Sequence, residues 1–150
     1  MIKLSTKGRY GTRLMLNLAR HYGNGADAVI LKRIAEEERI SIRYLEQIII
    51  PLKINRLVKS VRGAGGGYSL ARGPEDIRLS EILRAVEGNC CLVECLEDGS
   101  YCEFVGTCPT FDIWKGASDL LRDYFESLTL RDVMARAGKK GRKAQARAGR

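Results

Sequence analysis

The sequence predicts a mainly α fold with one small β-hairpin: a winged helix–turn–helix followed by a long dimerisation helix. Three observations predict it. Apolar residues recur at helical spacing in three segments of the first 55 residues; two short alternating stretches joined by glycines follow at once; and one further apolar stripe, Phe111 to Leu128, is too rich to face water.

The elements follow in order. Residues 8–23 place Tyr10, Leu14, Leu18 and Tyr22 at i, i+4 spacing, with Met15 and Ala19 beside them, and Gly23-Asn24-Gly25 ends the helix. A short helix over 31–38 turns Leu31, Ile34 and Ala35 inward. Ser41 is the expected N-cap of a helix over 42–55 whose apolar side is Tyr44, Leu45, Ile48, Ile49 and Leu52, with Pro51 expected to kink or end it. Strand Leu57–Arg62, the turn Gly63–Gly67 and strand Tyr68–Ala71 make the hairpin. Ser80 is expected to cap a helix carrying Ile82, Leu83 and Val86, ended by Gly88. Trp114, Ala117, Leu120, Leu121, Tyr124 and Phe125 continue the long stripe, as core or as a self-complementary dimer seam. Thr129 caps a last short helix, and the tail is read as disordered for want of large apolar side chains. The resulting division is 1–88 for the DNA-binding domain and its following helix, 89–110 for a cysteine loop, 111–137 for the dimerisation helix and the short C-terminal helix, and 138–150 for a basic tail.

The net charge of +8 is segregated: residues 1–72 carry +9, residues 73–137 carry −7 and residues 138–150 carry +6. A basic first half suits a polyanion, and the acidic middle does not. With no long uncharged apolar run and no apolar leader after Met1, the chain is expected to be cytoplasmic and off the membrane. There, five cysteines read as ligands or redox groups before structural disulfides. No catalytic constellation appears, and the glycine turn lacks the following helix and Gly-Lys-Ser/Thr of a nucleotide loop, so an enzyme is not expected.

In a winged helix the helix after the turn enters the major groove and the hairpin touches backbone or minor groove. The outward polar residues of that helix are Ser41, Arg43, Glu46 and Gln47, and their side chains match base edges: glutamine to adenine, arginine to guanine, glutamate to cytosine. Lys3, Lys7 and Arg9, with Lys59 and Arg62, are the expected phosphate contacts, Arg62 at the wing tip reaching toward the minor groove. Cys95-x6-Cys102-x5-Cys108 lacks the close pairs of zinc sites. Its wider spacing favours an iron–sulfur cluster, while zinc and redox-active thiols stay open. The fourth ligand is open among Cys90, Cys91, a carboxylate such as Glu94, Glu97, Glu103 or Asp112, and a group from elsewhere; His21 is read as a helix residue without a ligand role.

Leu4–Gly11 (LSTKGRYG), Tyr44–Gln47 (YLEQ) and Leu57–Leu70 (LVKSVRGAGGGYSL) closely resemble the Rrf-two family of bacterial regulators, and the resemblance runs from residue 2 to about 134. It implies a dimer with a winged-helix domain and a crossing dimer helix, matching about 111–127. It also implies a [2Fe-2S] or [4Fe-4S] cluster on Cys95, Cys102 and Cys108, cysteines absent from the CymR-like branch. The IscR-type histidine ligand falls on Phe111 and the NsrR-type aspartate on Gly8, neither of which ligates, leaving Cys90 and Cys91 as alternative sources. The expected function is a DNA-binding transcription repressor on a pseudo-palindromic operator, sensing cluster, iron or redox and nitric oxide status. The alternative is a cluster-free, CymR-like regulator governed by thiol redox chemistry or a partner enzyme.

Overall fold

A computed structural model describes residues 4–25, 27–89 and 91–138. Lys3, Cys90 and residues 139–150 of the basic tail lie outside the described residues.

The chain opens with α1 (Thr6–His21), whose N-cap Ser5 accepts the Lys7 and Gly8 backbone N–H groups. Then come α2 (Leu31–Glu38), α3 (Ile42–Ile54), β1 (Val58–Val61), β2 (Gly67–Leu70), α4 (Leu79–Glu87) and α5 (Phe111–Glu126). A sixth helix, α6, is described over residues 130–138. The apolar faces of α1, α3 and α4 meet in one core, where Leu14, Leu18, Ile34, Leu45, Ile48, Leu52, Leu57, Leu70, Ile77 and Ile82 are all buried. Among the described residues no helix is long and apolar enough to cross a membrane.

The turn between α2 and α3 is fixed by charge as well as by burial. Arg39 takes a left-handed conformation at φ 52°, which costs a non-glycine residue about 1 kcal/mol. The preceding Glu38 is buried and holds the turn. Its carboxylate receives Arg13 Nε at 3.1 Å, Arg20 Nη1 at 3.2 Å and Asn17 Nδ2 at 3.2 Å, and its carbonyl accepts from Arg13 Nη2. Ser41 then caps α3 as expected, accepting the Tyr44 N–H.

Pro51 neither ends nor kinks α3 out of its helical run, which continues to Ile54. The proline costs about 3 kcal/mol. Against it, Ile48, Ile49 and Leu52 are buried on the same helix, each contributing about 1.5–3 kcal/mol. Asn55 also caps the Pro51 carbonyl with its backbone N–H (3.0 Å) and its Nδ2 (2.9 Å).

β1 and β2 pair antiparallel with Val58 opposite Leu70 and Val61 opposite Gly67. The hairpin gains a third edge where Val29 and Tyr68 exchange backbone hydrogen bonds at 2.8 and 2.9 Å. Gly67 makes that approach possible. Its φ is +147°, and a Cβ there would stand 2.5 Å from the Val29 carbonyl oxygen. Gly67→Ala is expected to break this bridge and cost about 2–3 kcal/mol, read as a lower urea midpoint at unchanged slope. Gly65→Ala, in open space, is expected to leave the midpoint in place.

A second close approach lies where α1 meets α4. A Cβ at Gly8 would overlap the Glu87 carboxylate, which accepts the Ser5 hydroxyl at 2.9 Å over the first turn of α1.

Ser80 does not cap α4. The helix begins two residues earlier with Arg78 at the cap, whose N–H is taken by the Glu81 carboxylate at 2.8 Å. Ser80 is instead buried, its hydroxyl donating to Glu126 of α5. Tyr22, expected inward, is exposed at the end of α1. Thr129 does cap the last helix: its Oγ1 accepts the Asp132 N–H, and the Asp132 carboxylate accepts the Thr129 N–H.

Candidate DNA-reading face and cysteine loop

Arg43, Glu46 and Gln47 stand exposed on the side of α3 opposite its buried Leu45, Ile48 and Leu52. None makes a side-chain hydrogen bond or ion pair among the described residues, so all three are free to meet an external partner. Ser41 is exposed but already accepts the Tyr44 N–H, leaving its own O–H to donate outward. The first turn of α3 is braced from α1: Tyr10 meets Tyr44 edge-on at 5.7 Å, and the Arg13 guanidinium lies 5.5 Å over Tyr10. Lys7 and Arg9 are exposed on the first turn of that same α1, with Arg9 also donating to Thr6 Oγ1. Lys59 and Arg62 are exposed along β1 and just past its end. Lys53, near the end of α3, sits 5.9 Å over the Tyr68 ring of β2 and ties helix to wing. Sequence reading found the outward residues, and Tyr10 as part of an apolar stripe, but missed Glu38 and Arg13, which with Tyr10 brace them; long-range side-chain pairing leaves no periodic trace.

The second region is the loop between α4 and α5. Short 3₁₀ turns at Glu94–Leu96 and Gly99–Tyr101 break it up, the latter held by the Asp98 carboxylate accepting Ser100 N–H and O–H. Cys95, Cys102 and Cys108 are half-buried free thiols, and Cys91 is an exposed free thiol. Cys108 stands just before α5. Its Sγ lies 3.3 Å from Thr110 Oγ1, and that hydroxyl, with the backbone N–H groups of Thr110 and Phe111, holds the thiol below its ordinary range. Cys91 lines a cavity of about 410 Å³ enclosed by α4, the loop and α5, with Arg84, Lys115 and Phe111 among its walls.

Among the described residues no three His, Cys, Asp or Glu side chains converge closely enough to hold a metal ion. The donor chemistry nevertheless suits iron: three free thiols share one loop of short turns, with Gly99 and Gly106 between them.

The family model for Rrf2, described as an iron-dependent transcriptional regulator, matches residues 4–136. The chain belongs to the Rrf2 family. Like its relatives, this Rrf2 protein is a DNA-binding transcriptional regulator and not an enzyme. It is 39% identical to the HTH-type transcriptional regulator CymR of Bacillus subtilis over 132 residues, 88% of this chain and 89% of that one. A solved structure of CymR, described as the global cysteine regulator of B. subtilis, matches at a TM-score of 0.73 and 40% identity, covering 90% of this chain and 98% of the other. The structure of T. potens IscR matches at a TM-score of 0.74 and 40% identity, covering 91% and 88%. These Rrf2 neighbours bear out the expected winged-helix fold.

Proposed function

We propose that the chain is a homodimeric repressor of the bacterial cytoplasm whose hold on a pseudo-palindromic operator answers to an iron–sulfur cluster, [2Fe-2S] or [4Fe-4S]. In this reading residues 1–88 bind DNA and residues 111–137 pair two copies. Between them, residues 89–110 carry the sensor. Arg43, Glu46 and Gln47 face base edges, Ser41 donates at the groove wall, and Lys3, Lys7, Arg9, Lys59 and Arg62 neutralise phosphates.

The observation that supports the cluster is the set of free thiols Cys95, Cys102 and Cys108 on the one loop that joins α4 to α5. These residues would hold the cluster, with Cys90 or Cys91 as the fourth ligand. When bound, the cluster supplies a centre that iron supply, oxidants or nitric oxide can alter. The chain's part is mechanical. The loop leaves α4, which packs in the DNA-binding core, and enters α5, so its shape sets how the two are held. A coupling of this kind is typically about 1–3 kcal/mol.

A second reading, a cluster-free regulator working through thiol chemistry or a partner enzyme, is favoured by the separation of the thiols and by the likeness to CymR. Anaerobic purification with an absorption spectrum and iron and sulfide counts decides between them. The expected result is a brown protein with stoichiometric iron and sulfide, and a colourless, iron-free Cys102→Ser variant. A wild-type protein that stays iron-free after anaerobic reconstitution would leave the second reading.

A further inference from the structure

The outward face of α3 changes character half-way along. Arg43, Gln47, Ile50 and Ile54 follow one another at helical spacing on the side opposite the buried Leu45, Ile48 and Leu52. Ile50 is 57% exposed and Ile54 is 74% exposed. On the same helix and just past its end Arg43, Lys53 and Arg56 are exposed against one exposed carboxylate, Glu46, and Lys59 and Arg62 are exposed on the strand that follows, so this part of the chain is basic on balance. A basic surface with an apolar centre suits a polyanion that itself presents apolar groups. On the major-groove edge of DNA that group is the 5-methyl of thymine.

We infer that Ile50 is a base-reading residue that recognises a thymine methyl beside the base pairs faced by Arg43 and Gln47; the inference rests on the reading of α3 as the helix that enters the major groove. Helix rise decides between the two isoleucines. Ile50 stands seven positions after Arg43, roughly 10.5 Å along the axis, and Ile54 eleven positions after it, roughly 16.5 Å along. Base edges are met from the N-terminal part of such a helix, so the nearer isoleucine is the one placed to read them. Ile50 is also suited by stiffness: a β-branched side chain in a helix keeps essentially one χ1 rotamer, so holding it against a methyl sacrifices little freedom.

The test begins with duplexes enriched from a random pool by the full-length protein. Each thymine of the enriched site is then replaced by deoxyuridine, which removes only the methyl. One position per half-site is expected to lose about fourfold in affinity, the value of one buried methyl-sized group. Ile50→Ala is expected to bind the thymine and uracil duplexes alike at that position, while Ile50→Val and Ile54→Ala keep the discrimination. Far-UV circular dichroism confirms that each variant is folded. If the wild type feels no uracil substitution, or Ile50→Ala discriminates as the wild type does, the role of Ile50 is overturned while Arg43→Ala still tests the groove-entering helix. If no sequence is enriched, both fall together.

Discussion

Leu120→Glu is expected to turn the protein into a folded monomer and to weaken operator binding by two orders of magnitude or more. The reason is the outer face of α5. Ile113, Leu120 and Tyr124 share one side of the helix and are 61%, 74% and 52% exposed, while Ser118 and Phe125 turn toward the opposite side, where Ser118 accepts the Leu92 N–H. Covering such side chains contributes about 1.5–3 kcal/mol each. In the proposed dimer a two-fold seam would count every residue twice. A glutamate at its middle brings two carboxylates together out of water, which costs several kcal/mol, or about a thousandfold in dissociation constant. Since Leu120 is exposed within one chain, its own helix should survive. The operator then loses the second reading head, and with it an avidity typically about 10²–10⁴-fold. Light scattering after size-exclusion chromatography and operator titrations check both halves. A variant that elutes as a dimer with wild-type affinity would place the seam elsewhere.

Arg43→Ala and Gln47→Ala are each expected to cut specific binding while sparing nonspecific binding. A bidentate contact to a base is worth about 1–3 kcal/mol, and a dimer on a two-part operator loses it twice. The combined loss is about 2–6 kcal/mol, or roughly 30-fold to 10⁴-fold. Lys7→Ala should behave differently. It removes one phosphate contact from each copy of a dimer, so it weakens every duplex alike and lowers the salt slope by about two. Fluorescence anisotropy on operator and scrambled duplexes across a salt series separates the two patterns. Undiminished discrimination in Arg43→Ala would move the reading surface off α3.

Much of this architecture is legible in the chain because its core elements are periodic. Leu14 and Leu18, Leu45 and Ile48, and the alternation of Val58 to Val61 around a run of glycines announce their elements locally. What was not legible depends on distant partners. Ser80 looked like a cap, yet its hydroxyl is claimed by Glu126, 46 residues away. Pro51 looked like an end, yet the buried Leu52 keeps the helix whole. Glu38 looked like the last residue of a short helix, and its ties to Arg13 and Arg20 come from another helix altogether. The cysteine spacing pointed to one loop between two helices, and Cys95, Cys102 and Cys108 do lie on the segment joining α4 to α5, but spacing along a chain says nothing of the distances between the thiols in space.

The contact between Gly8 and Glu87 makes what is tolerated at one position depend on the other. Space for the Glu87 carboxylate over the first turn of α1 exists because residue 8 has no side chain. A descendant that acquires a side chain at position 8 must displace that carboxylate, and one that loses the carboxylate is released from glycine. The two sites, 79 residues apart in sequence, are therefore coupled in one direction: a side chain at position 8 requires the carboxylate to move, while position 87 can lose its carboxylate with glycine still in place.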